Sequence, residues 1–144
     1  MEKKIRPISS DEYDDLIRLW GDCGLPYRPQ GRDSFESMKK EFERMETIFL
    51  VMYDGARMIG SIIGTSDGRK GWINRLAIHP EYRGRRLAGE LIAQCEEHLH
   101  EMGVRVLACL VEEWNTPSLS AFKNAGYRIH DDILYCSKRS SDED

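Results

Sequence analysis

Seven consecutive residues, Arg83-Gly84-Arg85-Arg86-Leu87-Ala88-Gly89, carry the most pointed chemistry in this chain. They follow a short apolar stretch, Ile73 to Ile78, that breaks at Pro80, and they run straight into a long amphipathic segment. A basic turn of small residues at a helix start is a place to hold phosphate. The first-turn N–H groups have no intrahelical acceptor, and the helix dipole adds partial positive charge. Gly84, Ala88 and Gly89 keep side chains out of a ligand's way, and Arg83, Arg85 and Arg86 bring full charge. Taken without their neighbours, the three arginines would equally suit a solvated turn. The strand before them and the helix after them favour the anion site.

Other groups capable of chemistry are fewer. Glu112 and Glu113 follow an apolar stretch from Val104 to Val111, and the end of a strand in an open α/β sheet is a common place for active carboxylates. Either would equally serve as an exposed loop residue. Four cysteines, Cys23, Cys95, Cys109 and Cys136, include no C-x-x-C pair and no histidine at metal-ligand spacing, so no metal site is expected. Cys95 and Cys109 fall on apolar faces and are expected to be reduced and buried, while Cys23 sits in a loop.

The elements that must position these groups are legible from periodicity. Lys4 to Ile8 reads as a first strand. Ser9 and Glu12 stand at capping-box spacing before a helix whose apolar face is Leu16, Ile17, Leu19 and Trp20. A loop, Gly24 to Gly31, precedes a second helix from about Ser34 to Met45, with Phe35, Met38, Phe42 and Met45 at helical spacing. The period then changes. Thr47–Tyr53, Met58–Thr65 and Gly71–Ile78 read as an antiparallel meander with turns at Asp54-Gly55 and Ser66-Asp67-Gly68. A long helix from about Arg85 to Met102 buries Leu87, Leu91, Ile92, Cys95 and Leu99. A strand over Val104–Val111 follows, then a helix with Thr116 as N-cap and Pro117 at its first position. Tyr127–Ile129 and Ile133–Ser137 read as two last strands.

Composition sets outer limits. The chain has 144 residues, which suits one domain with one core. A domain over residues 1–139 and a flexible acidic tail over 140–144 are expected. The net charge of −4 disfavours a general nucleic-acid binder. No apolar run is long enough to span a bilayer, and the opening residues lack the apolar stretch of a signal peptide, so a cytoplasmic protein is expected.

Two motifs in order carry a resemblance. Arg83-Gly84-Arg85-Arg86-Leu87-Ala88 matches the pyrophosphate signature Arg/Gln-x-x-Gly-x-Gly/Ala except at Arg86, where glycine is usual. Asn115, Ser118, Phe122 and Gly126-Tyr127 match a second signature one strand later. The chain thereby resembles the GCN5-related N-acetyltransferase (GNAT) superfamily, and is similar to short prokaryotic members with an Asp-Gly turn before the ligand-binding strand, here Asp67-Gly68-Arg69-Lys70-Gly71.

The resemblance implies an α/β fold of order βααβββαβαββ, with a mixed sheet splayed into a wedge for acetyl-CoA and flanked by helices. It implies an acetyltransferase whose acceptor is an amine on a small molecule or a protein, attacked directly in a ternary complex. Leu76, Ala77 and Ile78 would offer backbone groups to the pantetheine arm, with an N–H near Leu76 polarising the thioester carbonyl. Arg83, Gly84, Arg85, Arg86, Leu87, Ala88 and Gly89 would hold the diphosphate, and Asn115, Ser118 and Phe122 would meet the lower arm.

The chain departs from the family where acid and base are usual. Phe122 stands in place of a tyrosine acid, Asn74 in place of one glutamate and Leu110 in place of another. Tyr127 or Tyr82, water, or no acid at all would then serve the leaving thiolate. Glu112 or Glu113 is the candidate base, and Asn74 can orient a water. The acceptor pocket is expected from the first interhelical loop, the Asp67 turn and the last hairpin, with Tyr27, Arg28, Arg32 and Trp72 as substrate contacts. Arginines there would favour an acceptor bearing a carboxylate or phosphate, unless Arg32 pairs with a neighbouring acid. A homodimer is possible. The rival reading is a CoA-binding module with little or no catalysis.

Overall fold

Five strands form one sheet in the order β1-β2-β3-β4-β5 in this computed structural model, which describes residues 1–142. The strands are β1 (Lys3–Pro7), β2 (Thr47–Asp54), β3 (Arg57–Ser66), β4 (Lys70–Ile78) and β5 (Val106–Cys109). The first four are antiparallel neighbours, and β5 joins β4 in parallel. Four helices cover the sheet: α1 (Tyr13–Asp22), α2 (Phe35–Glu43), α3 (Leu87–Glu101) and α4 (Thr116–Asn124).

The apolar run of β2 shows why the sheet is covered twice. Ile48, Leu50 and Met52 pack into one core with α3, whereas Phe49, Val51 and Tyr53 pack into a second core with α1 and α2. Side chains alternate faces along a strand, so a continuous apolar run is what a strand buried on both faces needs. The long helix is seated by the five side chains its periodicity names, since Leu87, Leu91, Ile92, Cys95 and Leu99 are all buried. It lies so close to β3 that a Cβ at Gly64 would stand 2.5 Å from the Cys95 sulfur.

Helix entries follow side-chain chemistry. Glu12 reaches back to the Ser9 N–H at 2.9 Å and closes a 3-10 turn, Ser10–Glu12, that feeds α1. The start of α4 differs from expectation. Asn115, not Thr116, is the N-cap, because its side chain accepts from the Ser118 N–H at 3.3 Å. The apolar face expected of α2 is also narrower: Met38 is buried and Phe42 partly so, but Phe35 and Met45 are exposed.

The order βααβββαβα is as expected, but the two last strands are not formed. Residues 127–140 contain no strand, so among the described residues β5 is an edge. A two-stranded hairpin without a covered face has little stability of its own, and this stretch has no partner in the sheet. Of the expected tail, Glu143 and Asp144 lie outside the described residues. Among the described residues no helix is long and apolar enough to cross a membrane. Among the described residues all four cysteines are free, and no cluster of three or more metal-binding side chains occurs.

Candidate functional site

β4 and β5 pair only from Lys70–Val106 to Ile73–Cys109. Beyond that point β4 continues for five residues alone on that side, and the strands part. The gap opens into a cleft of about 910 Å³ lined by Leu76, Ala77 and Ile78 of β4. It runs past Arg83, Gly84, Arg86, Leu87, Ala88 and Gly89 at the start of α3, and then along α4 at Asn115 and Ser118. Cys23 and Leu25, just past α1, close its other side.

The α3 entrance has the properties of an anion site. Its N-cap is Arg86, whose side chain makes no cap hydrogen bond, so the first-turn N–H groups have no side-chain acceptor. A Cβ at Gly84 or Gly89 would meet nothing within 4 Å, so the space in front of both is open. Gly84 has φ +81° and Arg86 φ +61°, so the turn uses two left-handed residues in three positions. The Arg83 Nε donates to the Ile78 carbonyl at 3.2 Å, which ties the turn to the end of β4. The Cys23 Sγ donates to the same carbonyl at 3.4 Å. Burial pushes the Cys23 thiol up, with Arg83 opposing.

Two of the residues expected at the cofactor do not line the cleft. Arg85 places its guanidinium 5.0 Å from the centre of the Tyr82 ring. Phe122 is buried, edge-to-face with Tyr127 at 5.1 Å. The two tyrosines that could replace the missing acid are both engaged. Tyr127 donates to Glu96 and Tyr82 donates to Asp54, each at 2.7 Å. Burial and the Glu96 bond push the Tyr127 hydroxyl up, and the Asp54 bond does the same for Tyr82. Asn74, Glu112 and Glu113 are exposed and stand outside the cleft lining.

Sequence reasoning passed over Arg75, which sits between Asn74 and Leu76 with φ +53°. The β3–β4 register shifts between Ser61 and Ile63, opposite it. A bulge at this point turns Leu76 and the residues after it toward the cleft. The left-handed residue is gripped from three sides. The Ser61 hydroxyl donates to its carbonyl at 3.0 Å, and the Trp20 Nε1 donates to that hydroxyl at 3.0 Å. The guanidinium lies 4.6 Å from the centre of the Trp20 ring and 3.3 Å from the Asp33 carboxylate. Asp33 also accepts from the Arg28 N–H at 2.7 Å, and the Tyr13 hydroxyl donates to its carbonyl at 2.5 Å. Thus the acid next to Arg32 in the chain, Asp33, pairs with Arg75. The signal available in the sequence was one charged residue interrupting an apolar strand.

The expected acceptor contacts are scattered around this clamp. Tyr27 packs against the α1–α2 core, Arg28 is half-buried beside Asp33, and Arg32 is exposed. Trp72 donates to Asp67 at 3.1 Å. The third wall, the last hairpin, is not formed.

The family model for the acetyltransferase (GNAT) family matches residues 9–127. An acetyltransferase of Sodalis glossinidius is 31% identical over 136 residues, covering 94% of each chain. Among solved structures, the PaiA N-acetyltransferase from Thermoplasma acidophilum in complex with coenzyme A superposes with a TM-score of 0.81. It is 20% identical and covers 91% of this chain and 92% of its own. An aminoglycoside antibiotic 6'-N-acetyltransferase from Acinetobacter haemolyticus gives a TM-score of 0.77 at 17% identity, covering 96% and 99%. At these identities the structural matches speak for the fold.

Proposed function

From the premise that this chain belongs to the acetyltransferase (GNAT) family, we propose that it transfers the acetyl group of acetyl-CoA to an amine in the cytosol. The observation that carries this reading is the continuous cleft from Leu76 to Gly89, which joins a parted strand edge to an uncapped, arginine-rich helix entrance. The diphosphate sits on the α3 entrance, where Arg83 and Arg86 and the first-turn N–H groups converge. The pantetheine arm lies along Leu76–Ile78 and adds to β4 as a short strand, using backbone groups that β5 leaves unpaired. Asn115 and Ser118 border its lower part. Solved relatives of the same fold include one in complex with coenzyme A.

The thioester carbonyl then lies at the bulge, where the Leu76 N–H polarises it and stabilises the tetrahedral oxyanion. The neutral amine attacks directly in a ternary complex. Its proton leaves through water, oriented by Asn74 and taken by Glu112 or Glu113 at the end of β5. Neither Tyr82 nor Tyr127 is free to protonate the leaving sulfur, since each already donates to a carboxylate. A thiol has an ordinary pKa of about 8.5, so it departs as thiolate. The acceptor enters from the side of the α1–α2 loop, where Tyr27, Arg28, Arg32 and Trp72 are the candidate contacts.

A second reading, a CoA-binding module without catalysis, is favoured by one specific observation: Glu96, a carboxylate that does line the cleft, already accepts from Tyr127, and Tyr82 is engaged by Asp54. Thiol release from acetyl-CoA, followed with a chromogenic disulfide across a panel of amines, separates the two. Acceptor-dependent release supports transfer, and tight CoA binding without release supports the module. An Arg83→Ala chain is expected to bind CoA about 10- to 100-fold more weakly, because a charged hydrogen bond contributes about 1.5–3 kcal/mol. Unchanged affinity by titration calorimetry would remove the diphosphate from this turn. Unchanged rates in both Glu112→Gln and Glu113→Gln would discard the carboxylate base.

A further inference from the structure

The residue before Leu76 is a poor match for its own backbone. Arg75 has φ +53°, a conformation that glycine adopts without strain and arginine does not. Strained residues persist where their surroundings over-determine them, and here the side chain supplies the grip. The Arg75 guanidinium donates at 3.3 Å to the Asp33 Oδ2, and that same oxygen accepts from the Arg28 N–H at 2.7 Å. The Asp33 N–H returns a bond to the Arg28 carbonyl at 3.0 Å, so this part of the α1–α2 loop closes on itself and presents a buried carboxylate to β4. In the β3–β4 register Ala77 faces Ser61 and Asn74 faces Ile63, which leaves Arg75 and Leu76 without a partner on that strand. Pairing with β5 has already ended at Ile73. The ladders therefore do not aim the peptide that joins Arg75 to Leu76. Arg75 itself is not among the residues lining the cleft, whereas Leu76 is.

We propose that Arg75 is a positioning residue for acetyl transfer: its pair with Asp33 carries the fold of the α1–α2 loop to the bulge and aims the Leu76 N–H at the thioester carbonyl. The role rests on the cleft holding acetyl-CoA with its thioester at the bulge. The Arg75 carbonyl and the Leu76 N–H belong to one planar trans peptide and point opposite ways. The buried Ser61 hydroxyl donates to that carbonyl at 3.0 Å, and this sets the N–H direction on the far side. The guanidinium, held by Asp33 and by the Trp20 ring at 4.6 Å, keeps the left-handed turn from relaxing out of that orientation. A donor to an oxyanion stabilises it most when aimed before the charge develops. The loop that supplies Asp33 stands on the side where the acceptor enters. Order at the acceptor side and polarisation of the thioester are thereby joined through one carboxylate oxygen.

Isotope-edited infrared spectra of bound acetyl-CoA read this hydrogen bond directly, since a polarised thioester carbonyl absorbs at lower wavenumber. The band needs no acceptor, so it decides even for a chain that acetylates none of the amines offered. The parent is expected to bind acetyl-CoA with the band lowered. Glycine takes the left-handed turn without strain, so Arg75→Gly is expected to fold and, with the α3 entrance untouched, to bind acetyl-CoA within about twofold of the parent. Its band is expected to move back toward that of free acetyl-CoA. Its kcat is expected to fall about 10- to 100-fold with KM for acetyl-CoA unchanged, the size of effect a misaimed group produces. Arg75→Lys keeps a cation for Asp33 and is expected to restore most of both. Asp33→Asn breaks the pair from the loop side and is expected to match Arg75→Gly. A parent that binds with its band unlowered, or an Arg75→Gly chain with the parent's band and kcat, overturns the positioning role and leaves the cleft as a coenzyme site. Parallel loss of affinity and kcat also overturns it, because that is what a merely structural contact gives. A parent that does not bind acetyl-CoA overturns the reading of the cleft, and the role falls with it.

Discussion

Arg86 carries a side chain at a backbone position that favours none. Its φ of +61° lies in the left-handed region, where an L-residue other than glycine is strained by roughly 1–2 kcal/mol. Glycine there would lose that strain and lose more chain entropy on folding, so Arg86→Gly is expected to gain about 0.5–1 kcal/mol of stability in urea unfolding. The same change removes one of the guanidinium groups at the α3 entrance, so affinity for CoA should fall while stability rises. Unchanged or tighter CoA binding would mean that Arg86 does not face the diphosphate, and an unchanged or lower stability that its left-handed backbone carries no such strain. Asp33 offers a second residue-level test. It is 5% exposed and pairs with Arg75, so Asp33→Asn leaves a nearly buried guanidinium without its counter-charge. The expected loss is about 2–4 kcal/mol, below that of a fully dry pair because Arg75 keeps some contact with water. A loss under half a kcal/mol would show the bulge to be held by Ser61 and Trp20 alone.

The entry to α1 is held by one acid. Burial by itself would push the Glu12 carboxyl up. The Arg6 guanidinium at 2.8 and 2.6 Å, the Tyr53 hydroxyl and the Ser9 N–H outweigh burial and hold it at about 2. A group whose folded pKa is depressed contributes stability above its unfolded value and loses it as pH falls to the folded one. The window here runs from the ordinary 4.5 down to about 2. The difference is worth on the order of 3 kcal/mol. Unfolding free energy measured through that window should drop steeply in the parent. Glu12→Gln should be less stable at neutral pH and flatter through the window. A parent curve with no steeper slope than the variant would show that this carboxylate titrates the same way folded and unfolded.

At the scale of the whole molecule, the cleft is assembled from pieces far apart in the chain. Cys23 closes one side, Leu76–Ile78 another, and α3 and α4 the rest. A ligand that needs all of them binds only the folded chain. At a hundredfold excess over its Kd, CoA should therefore stabilise the fold by about 2.7 kcal/mol and raise Tm by roughly 5–10 °C for a chain of this size. Thermal unfolding with and without CoA checks this, and an unmoved Tm at millimolar CoA would deny that the cleft is a coenzyme site.

The sequence by itself determined what repeats at short range. The faces of α1 and α3, the two-sided run of β2, the turns at Asp54-Gly55 and Asp67-Gly68 and the break at Pro80 all follow from spacing, and the basic turn with its small residues marked the helix entrance. Only the tertiary structure decided what depends on residues meeting from a distance. Periodicity around Ile133–Ser137 describes a strand, but a strand needs a neighbour, and none is supplied within the described chain. Likewise Asp33 and Arg75 are 42 positions apart, and no local rule pairs them or turns Arg75 left-handed. Propensity acts over a few residues, whereas a ladder, a bulge and a buried ion pair exist only where separate segments are brought into contact.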